Sequence, residues 1–246
     1  MCPSKSANWF KDWFNSPYYH LLYKNRDCDE AELFIKKLIS QLQPPKHSRF
    51  LDLACGKGRH AFYLNKMGFD VTGIDLSTES IACANIYQND TLHFYAHDMR
   101  KTFRTNYFDY VVNLFTSFGY FENERDDYAT IEEVYKGLKS DGVFIIDFMN
   151  SEKVMSELKA EEIKVVEGIE FKIQKSIRDN FIVKTISFAD KGENYTFEER
   201  VKALKKADFE KYLEKSKLKI LNLWGDYNLN SFDPSTSDRL IIAAKK

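Results

Sequence analysis

The chain has 246 residues, 43% of them hydrophobic and 15% aromatic, enough for one large α/β domain or a domain with a small insert. Its 36 Lys and Arg against 37 Asp and Glu leave a formal net charge of −1. That balance argues against a nucleic-acid-binding surface, which normally needs a basic patch, and no apolar run reaches the ~20 residues of a membrane span.

The N-terminus Met1-Cys2-Pro3-Ser4-Lys5 has no signal-peptide core behind it. The four cysteines (Cys2, Cys28, Cys55 and Cys83) show neither C-x-x-C spacing nor a metal-site pattern. Reduced thiols, no metal and a cytoplasmic location are expected. Residues 8–42 read as helical: Trp9, Phe10, Trp13 and Phe14 share a face, Pro17 interrupts the pattern, and Ala31–Leu42 forms a second helix ended by Pro44-Pro45. Strands and helices then alternate. Phe50–Ala54 is a strand, Arg59–Met67 a helix, and Asp70–Ile74 a strand closed by Asp75. Ser77 caps a helix running to about Asn89, and Leu92–Ala96 is a strand followed by Asp98. Phe108–Leu114 is a strand, Asn123–Lys139 a helix, Ser140-Asp141-Gly142 its exit turn, and Val143–Phe148 a strand. This order predicts a parallel sheet with helices on both faces.

After Asn150 the period changes to two. Ile163–Ala203 reads as an antiparallel insert of three or four strands, with turns at Arg178-Asp179-Asn180 and Asp190-Lys191-Gly192. Helix and strands then resume as Ala207–Lys215, Leu218–Trp224 and Arg239–Ala244, the last two joined by the loop 225–238. The chain divides into an N-terminal helical segment (1–49), a core (50–150 and 206–246) and a β insert (151–205).

The stretch F-L-D-L-A-C-G-K-G-R-H-A…V-T-G-I-D (50–75) carries the chemistry. Gly56 and Gly58 let the backbone approach a ligand, and the acid Asp75 can accept both hydroxyls of a ribose, so the unit reads as a nucleoside-binding βαβ. Gly56 to Ala61 also fits the dinucleotide pattern G-x-G-x-x-G/A, which leaves a nicotinamide-dependent oxidoreductase open. Asp52 inside the first strand, and the aromatic-rich helical segment ahead of it, favour S-adenosylmethionine over NAD.

L-D-L-A-C-G-K-G-R-H and V-T-G-I-D-L-S resemble motif I and the following acidic motif of class I S-adenosylmethionine-dependent methyltransferases, with His60 in place of the family's third glycine. The resemblance implies an α/β, Rossmann-like sheet of seven strands, the last antiparallel, with helices on both faces and a small antiparallel β insert. It implies S-adenosyl-L-methionine as cofactor. Gly56 and Gly58 would pass under the methionine part, with Ala54 and Cys55 beside them in the cofactor site, Asp75 would hold the ribose, and Leu76 would lie against the adenine. Asp98 would accept from the adenine amino group and the Met99 N–H would meet the ring. Asn113, Leu114 and Phe115 would end beside the sulfonium. Asp52 is either structural or bound to the methionine ammonium through water.

Tyr18 to Arg26 resembles the Y-x-x-L-Y-x-x-R-like helix that closes over the cofactor in small-molecule methyltransferases, including N-methyltransferases of amino sugars. Tyr19 and Tyr23 stand one turn apart, and Arg26 can fork onto the methionine carboxylate. His20, His60 and Tyr19 are the candidate bases, each read first as a packing residue and only second as a base. The strand-four sequence N-L-F-T-S-F is not the N-P-P-Y type associated with DNA bases, and T-S-F-G-Y-F resembles a bacterial small-molecule subgroup. Together these imply methyl transfer to N or O of a small molecule, by a monomer or homodimer without nucleic acid or membrane. The insert, with Tyr227 and Asn228, is expected over the acceptor site. A non-catalytic cofactor-binding module stays open.

Overall fold

The computed structural model describes residues 13–23 and 28–246, without the side chains of His20, Cys28 and Asp29. Trp9, Phe10 and Arg26 lie outside the described residues, as does the side chain of the candidate base His20. The first described helix, α1 (Pro17–Leu22), begins at Pro17 instead of being broken by it. Proline suits the first helical position because its φ is already helical and its missing N–H has no partner there. Ser16 caps the turn, its hydroxyl accepting from the Tyr18 N–H at 3.2 Å. The next helix, α2 (Cys28–Leu42), buries Phe34, Ile35 and Leu38.

The alternating core follows as β1 (Arg49–Leu53), α3 (Arg59–Lys66), β2 (Asp70–Asp75), α4 (Thr78–Ala84), β3 (Leu92–Ala96), β4 (Phe108–Asn113), α5 (Glu124–Gly137) and β5 (Leu138–Met149). Two boundaries differ from the sequence reading. Helix α4 stops at Ala84 and passes into one 3-10 turn, because Asn89 is already bridged to Leu92 at the start of β3. Ser140-Asp141-Gly142 is not an exit turn; it lies inside β5 as a bulge, with Asp141 at φ 64°. The buried Leu138 pairs with Phe108, so the chain is already extended there, and the ladder resumes at Tyr110 and Val143.

A short helix, α6 (Ser151–Ser156), precedes the insert strands β6 (Glu161–Val166), β7 (Ile169–Arg178), β8 (Phe181–Asp190) and β9 (Glu193–Lys202). The chain closes with α7 (Lys206–Lys215), β10 (Lys219–Trp224) and β11 (Arg239–Lys245). The main sheet has the order β10-β11-β5-β4-β1-β2-β3. Its last strand, β11, is antiparallel to both β10 and β5. Strand β1 is buried along almost its whole length because helices cover both faces of the sheet. Helices α2, α3 and α4 pack on one side and α5 and α7 on the other. The strand order reverses between β1 and β4, and the carboxyl ends there open onto a crevice where α/β sheets bind ligands.

The insert is a separate four-stranded sheet, β6-β7-β8-β9. Its hairpins turn at Glu167-Gly168, Asp179-Asn180 and Lys191-Gly192, each pair with positive φ. Its inner face, with Phe171, Ile173, Ile186 and Phe188, is filled by Trp13 and Leu22 of the N-terminal segment.

Candidate active site

The turn between β1 and α3 is shaped by left-handed residues, Ala54 (φ 60°), Gly56 (φ 55°) and Gly58 (φ 80°). Gly58 caps α3, and a Cβ there would come within 2.6 Å of the Phe94 ring. Its glycine therefore serves packing as well as conformation. Gly56 differs: an added Cβ would meet nothing within 4 Å, so open space lies over it. The turn is tied to β2 by Asp75, whose carboxylate accepts from the Gly56 N–H at 2.9 Å and the Ser77 N–H at 2.8 Å. Burial pushes the Asp75 carboxyl up, against these backbone N–H bonds. The two oxygens offer about four acceptor sites, and the Gly56, Ser77 and Leu76 N–H groups do not fill them, so capacity is left for a ribose hydroxyl.

A cavity of about 510 Å³ opens here, within the range of cofactor sites. It gathers Ala54, Cys55, Gly56, Lys57, Arg59 and His60 from the glycine turn, and Ile74, Asp75, Leu76, Ser77 and Ser80 around the end of β2. His97, Asp98 and Met99 follow β3, and Leu114, Phe115, Thr116, Ser117, Tyr120 and Phe121 follow β4. Phe14, Asn15, Tyr19 and Tyr23 come from the N-terminal segment. The structure thus brings together at one cavity Tyr19, Tyr23, Ala54, Cys55, Gly56, His60, Asp75, Leu76, Asp98, Met99, Leu114 and Phe115.

Gly58, Asp52 and Asn113 do not line it. Asp52 is buried and accepts from the Ala61 N–H at 3.1 Å, docking the first turn of α3 onto β1. Burial pushes its carboxyl up to about 7. Asn113 is buried and donates to the Leu53 carbonyl at 2.8 Å, tying β4 to β1. Tyr227 and Asn228, expected at the acceptor, also stand outside the lining. Tyr227 stacks on Phe115 at 5.0 Å, and Asn228 takes a hydrogen bond from Lys37 of α2. The insert lines none of the cavity. It holds the segment that does: Glu199 accepts from Trp13 Nε1 at 2.6 Å and from the Tyr23 hydroxyl at 2.8 Å, and Asp190 accepts from the Tyr18 hydroxyl at 2.8 Å.

His60 lies 4.9 Å from the Phe115 ring, and its buried Nε2 has no hydrogen-bond partner among the described residues. Burial, with the nearby charge of Arg59, pushes the imidazole down to about 3. It therefore stays neutral and is a weak proton acceptor at neutral pH. Asp98 is engaged by Arg100, which donates Nε and its backbone N–H to Oδ1, both at 3.0 Å, and Nη2 to Oδ2 at 2.8 Å. Arg100 holds the Asp98 carboxyl below its usual range. Any donor reaching Asp98 shares its oxygens with this guanidinium.

Sequence reasoning missed the support behind β4. Asp147 of β5 is fully buried and accepts from the Phe115 N–H at 2.8 Å, Arg239 Nε at 2.8 Å and the Tyr227 hydroxyl at 3.2 Å. The signal was present: a lone acid within the apolar run F-I-I-D-F must be paired once buried. Arg59 was missed as a site residue too. It opens α3 with its guanidinium 4.7 Å from the Phe115 ring centroid, at the wall of the cavity.

Seven strands in this order with the last reversed, a glycine turn after the first and an acid closing the second define a class: the Rossmann-like fold of class I methyltransferases, whose cofactor is S-adenosylmethionine. The profile of a family described as a methyltransferase domain matches residues 44–216, and the chain belongs to that family. YqeM of Bacillus subtilis is 36% identical over 113 residues, 45% of this chain and 46% of that protein. The glycine/sarcosine N-methyltransferase of Aphanothece halophytica is 35% identical over 137 residues, 54% of this chain and 50% of that protein. The chain spans about half the length of these curated relatives. Across nearly the whole length, the fold resembles an S-adenosylmethionine-dependent methyltransferase from Clostridium acetobutylicum, with a TM-score of 0.78 at 24% identity over 93% of this chain and 95% of that one.

Proposed function

We propose that this protein transfers a methyl group from S-adenosylmethionine to a nitrogen or oxygen of a small molecule by in-line displacement. The observation that carries the proposal is the single cavity in which the glycine turn, Asp75, the end of β4 and an aromatic N-terminal cover meet. When bound, the cofactor supplies an electrophilic methyl group on a sulfonium.

The chain's own residues bind and align. Asp75 takes the ribose hydroxyls as a charged acceptor, reinforced by its anchoring to Gly56 and Ser77. Open space over Gly56 admits the methionine part, and Arg59 stands near enough to the turn to meet its carboxylate. Leu76, Met99 and Asp98 flank the adenine end. Phe14, Tyr19 and Tyr23 exclude water from the reacting centre. Methyl transfer needs alignment more than proton chemistry, so the low basicity of His60 is no obstacle.

A small acceptor is favoured by the near-neutral charge and by the size of the cavity, about 510 Å³, under the aromatic side chains of the N-terminal segment. The relative from Aphanothece halophytica is named for glycine and sarcosine, which supports an amine acceptor of that size. The test is calorimetry with S-adenosylhomocysteine and with NAD, followed by turnover on a panel of small amines and alcohols. Binding of S-adenosylhomocysteine alone, with methylation of one panel member, is expected. Binding of NAD in its place, or tight S-adenosylhomocysteine binding without turnover on any acceptor, would overturn the proposal.

A further inference from the structure

Beyond the end of β4, Phe115 (φ 59°) and Thr116 (φ 60°) are consecutive left-handed residues with side chains. L-residues avoid this conformation, and it persists only where the surroundings over-determine it. Here the Phe115 N–H donates to Asp147 Oδ2 at 2.8 Å and the Thr116 N–H donates to the Asp147 carbonyl at 3.0 Å. The Tyr120 hydroxyl donates to the Thr116 carbonyl at 2.8 Å. Two strained residues are thus fixed at the wall of the cavity.

The Thr116 side chain is fixed as well. Its Oγ1 accepts from the Met149 N–H at 3.1 Å and from Arg239 Nη2 at 2.9 Å. Arg239 is itself held by the buried Asp147, with Nη2 at 2.7 Å from Oδ1. A hydroxyl has two lone pairs and one proton. Both lone pairs here face groups that can only donate, an amide and a guanidinium. The hydroxyl is left as a donor of fixed polarity. Among the described residues none takes its proton, and Thr116 lines the cavity.

We propose that Thr116 binds the methyl acceptor, donating its hydroxyl proton to an oxygen of that molecule, a carboxylate, hydroxyl or carbonyl carried beside the group that is methylated. The proposal rests on the methyl-transfer reading above. The partner is not the reacting nitrogen, because a proton placed on its lone pair would block attack on the methyl group. Nor is it the cofactor's ammonium or sulfonium, which are positively charged. The site therefore selects acceptors with a second, oxygen-bearing group over simple amines.

Two measurements test this. In crystals of the S-adenosylhomocysteine complex, an ordered water or ligand oxygen is expected about 2.8 Å from Thr116 Oγ1, and it should be missing in Thr116→Val. By calorimetry, Thr116→Val and Thr116→Ser should both bind S-adenosylhomocysteine within about twofold of the unaltered protein. Sarcosine, 2-aminoethanol and methylamine are then titrated into that complex. At least one oxygen-bearing probe should bind and methylamine should not. Thr116→Val should weaken the bound probe about tenfold or more, and Thr116→Ser should stay within about threefold. The proposal falls if Thr116→Val binds the probe normally, if methylamine binds as well, or if neither oxygen-bearing probe binds. It also falls if Thr116→Val loses S-adenosylhomocysteine in equal measure, since the hydroxyl would then face the cofactor. Failure of the unaltered protein to bind S-adenosylhomocysteine would instead remove the methyl-transfer reading itself.

Discussion

Replacing Asp52 by Asn should stabilise the protein above neutral pH and leave cofactor affinity unchanged. The side chain is 1% exposed and, among the described residues, its one hydrogen bond is from the Ala61 N–H, which the Asn carbonyl oxygen can still accept. What the substitution removes is a buried charge. Burial raises this carboxyl from 3.8 to about 7. Between those values the native state holds a proton that the unfolded state has lost, so this group's contribution to stability falls as pH rises. Each pH unit carries ~1.4 kcal/mol, or about 4 kcal/mol over the whole interval.

His60 acts in the opposite sense. Its imidazole lies at about 3 in the fold against an ordinary 6.5, so its contribution is lost as pH falls. The two trends offset each other in the unaltered protein between pH 3.8 and 6.5, and the comparison must be made between variants. Urea unfolding at pH 5 and pH 8 should show the advantage of Asp52→Asn growing by roughly 2–3 kcal/mol. A difference between the two proteins that does not change with pH would refute the reasoning. So would a tenfold loss of S-adenosylhomocysteine affinity in the variant, which would place Asp52 on the ligand and not on the helix.

Asp75→Ala should weaken S-adenosylhomocysteine by roughly 1.5–3 kcal/mol, about 10- to 150-fold by calorimetry, and unchanged affinity would remove Asp75 from the ribose site. Glu199→Ala removes the acceptor for Trp13 and Tyr23 and the ion pair between Glu199 and Lys184. Cofactor affinity should drop about tenfold and the N-terminal segment should become cleavable by limited proteolysis, although Glu199 lies outside the cavity. Asp147→Ala removes the buried acceptor shared by Arg239, the Phe115 N–H and the Tyr227 hydroxyl and should lower Tm by roughly 10 °C. A shift below about 2 °C in a thermal melt would show that this acceptor carries little of the local order.

The sequence by itself determined the order of strands and helices, the period change after Asn150 and the glycine turn with its acid at Asp75. These are local properties. Alternation of apolar runs, glycine placement and an acid closing a strand depend on residues within a few positions of one another. Only the tertiary structure decided which side chains meet. Asp52 and Asn113 belong to the same motifs as Asp75 and Leu114, yet packing turns them into β1 and β4 and away from the cavity. The insert's alternation showed that one face must be buried but not against what; Trp13, some 160 residues earlier than Ile173, fills it. The network of Asp147, Arg239, Tyr227 and Thr116 joins the end of β4, β5, β11 and the loop before it, through hydrogen bonds 32 to 123 positions apart. No spacing rule reaches that far. A buried acid in an apolar strand announces that it has a partner, and only the fold says which one.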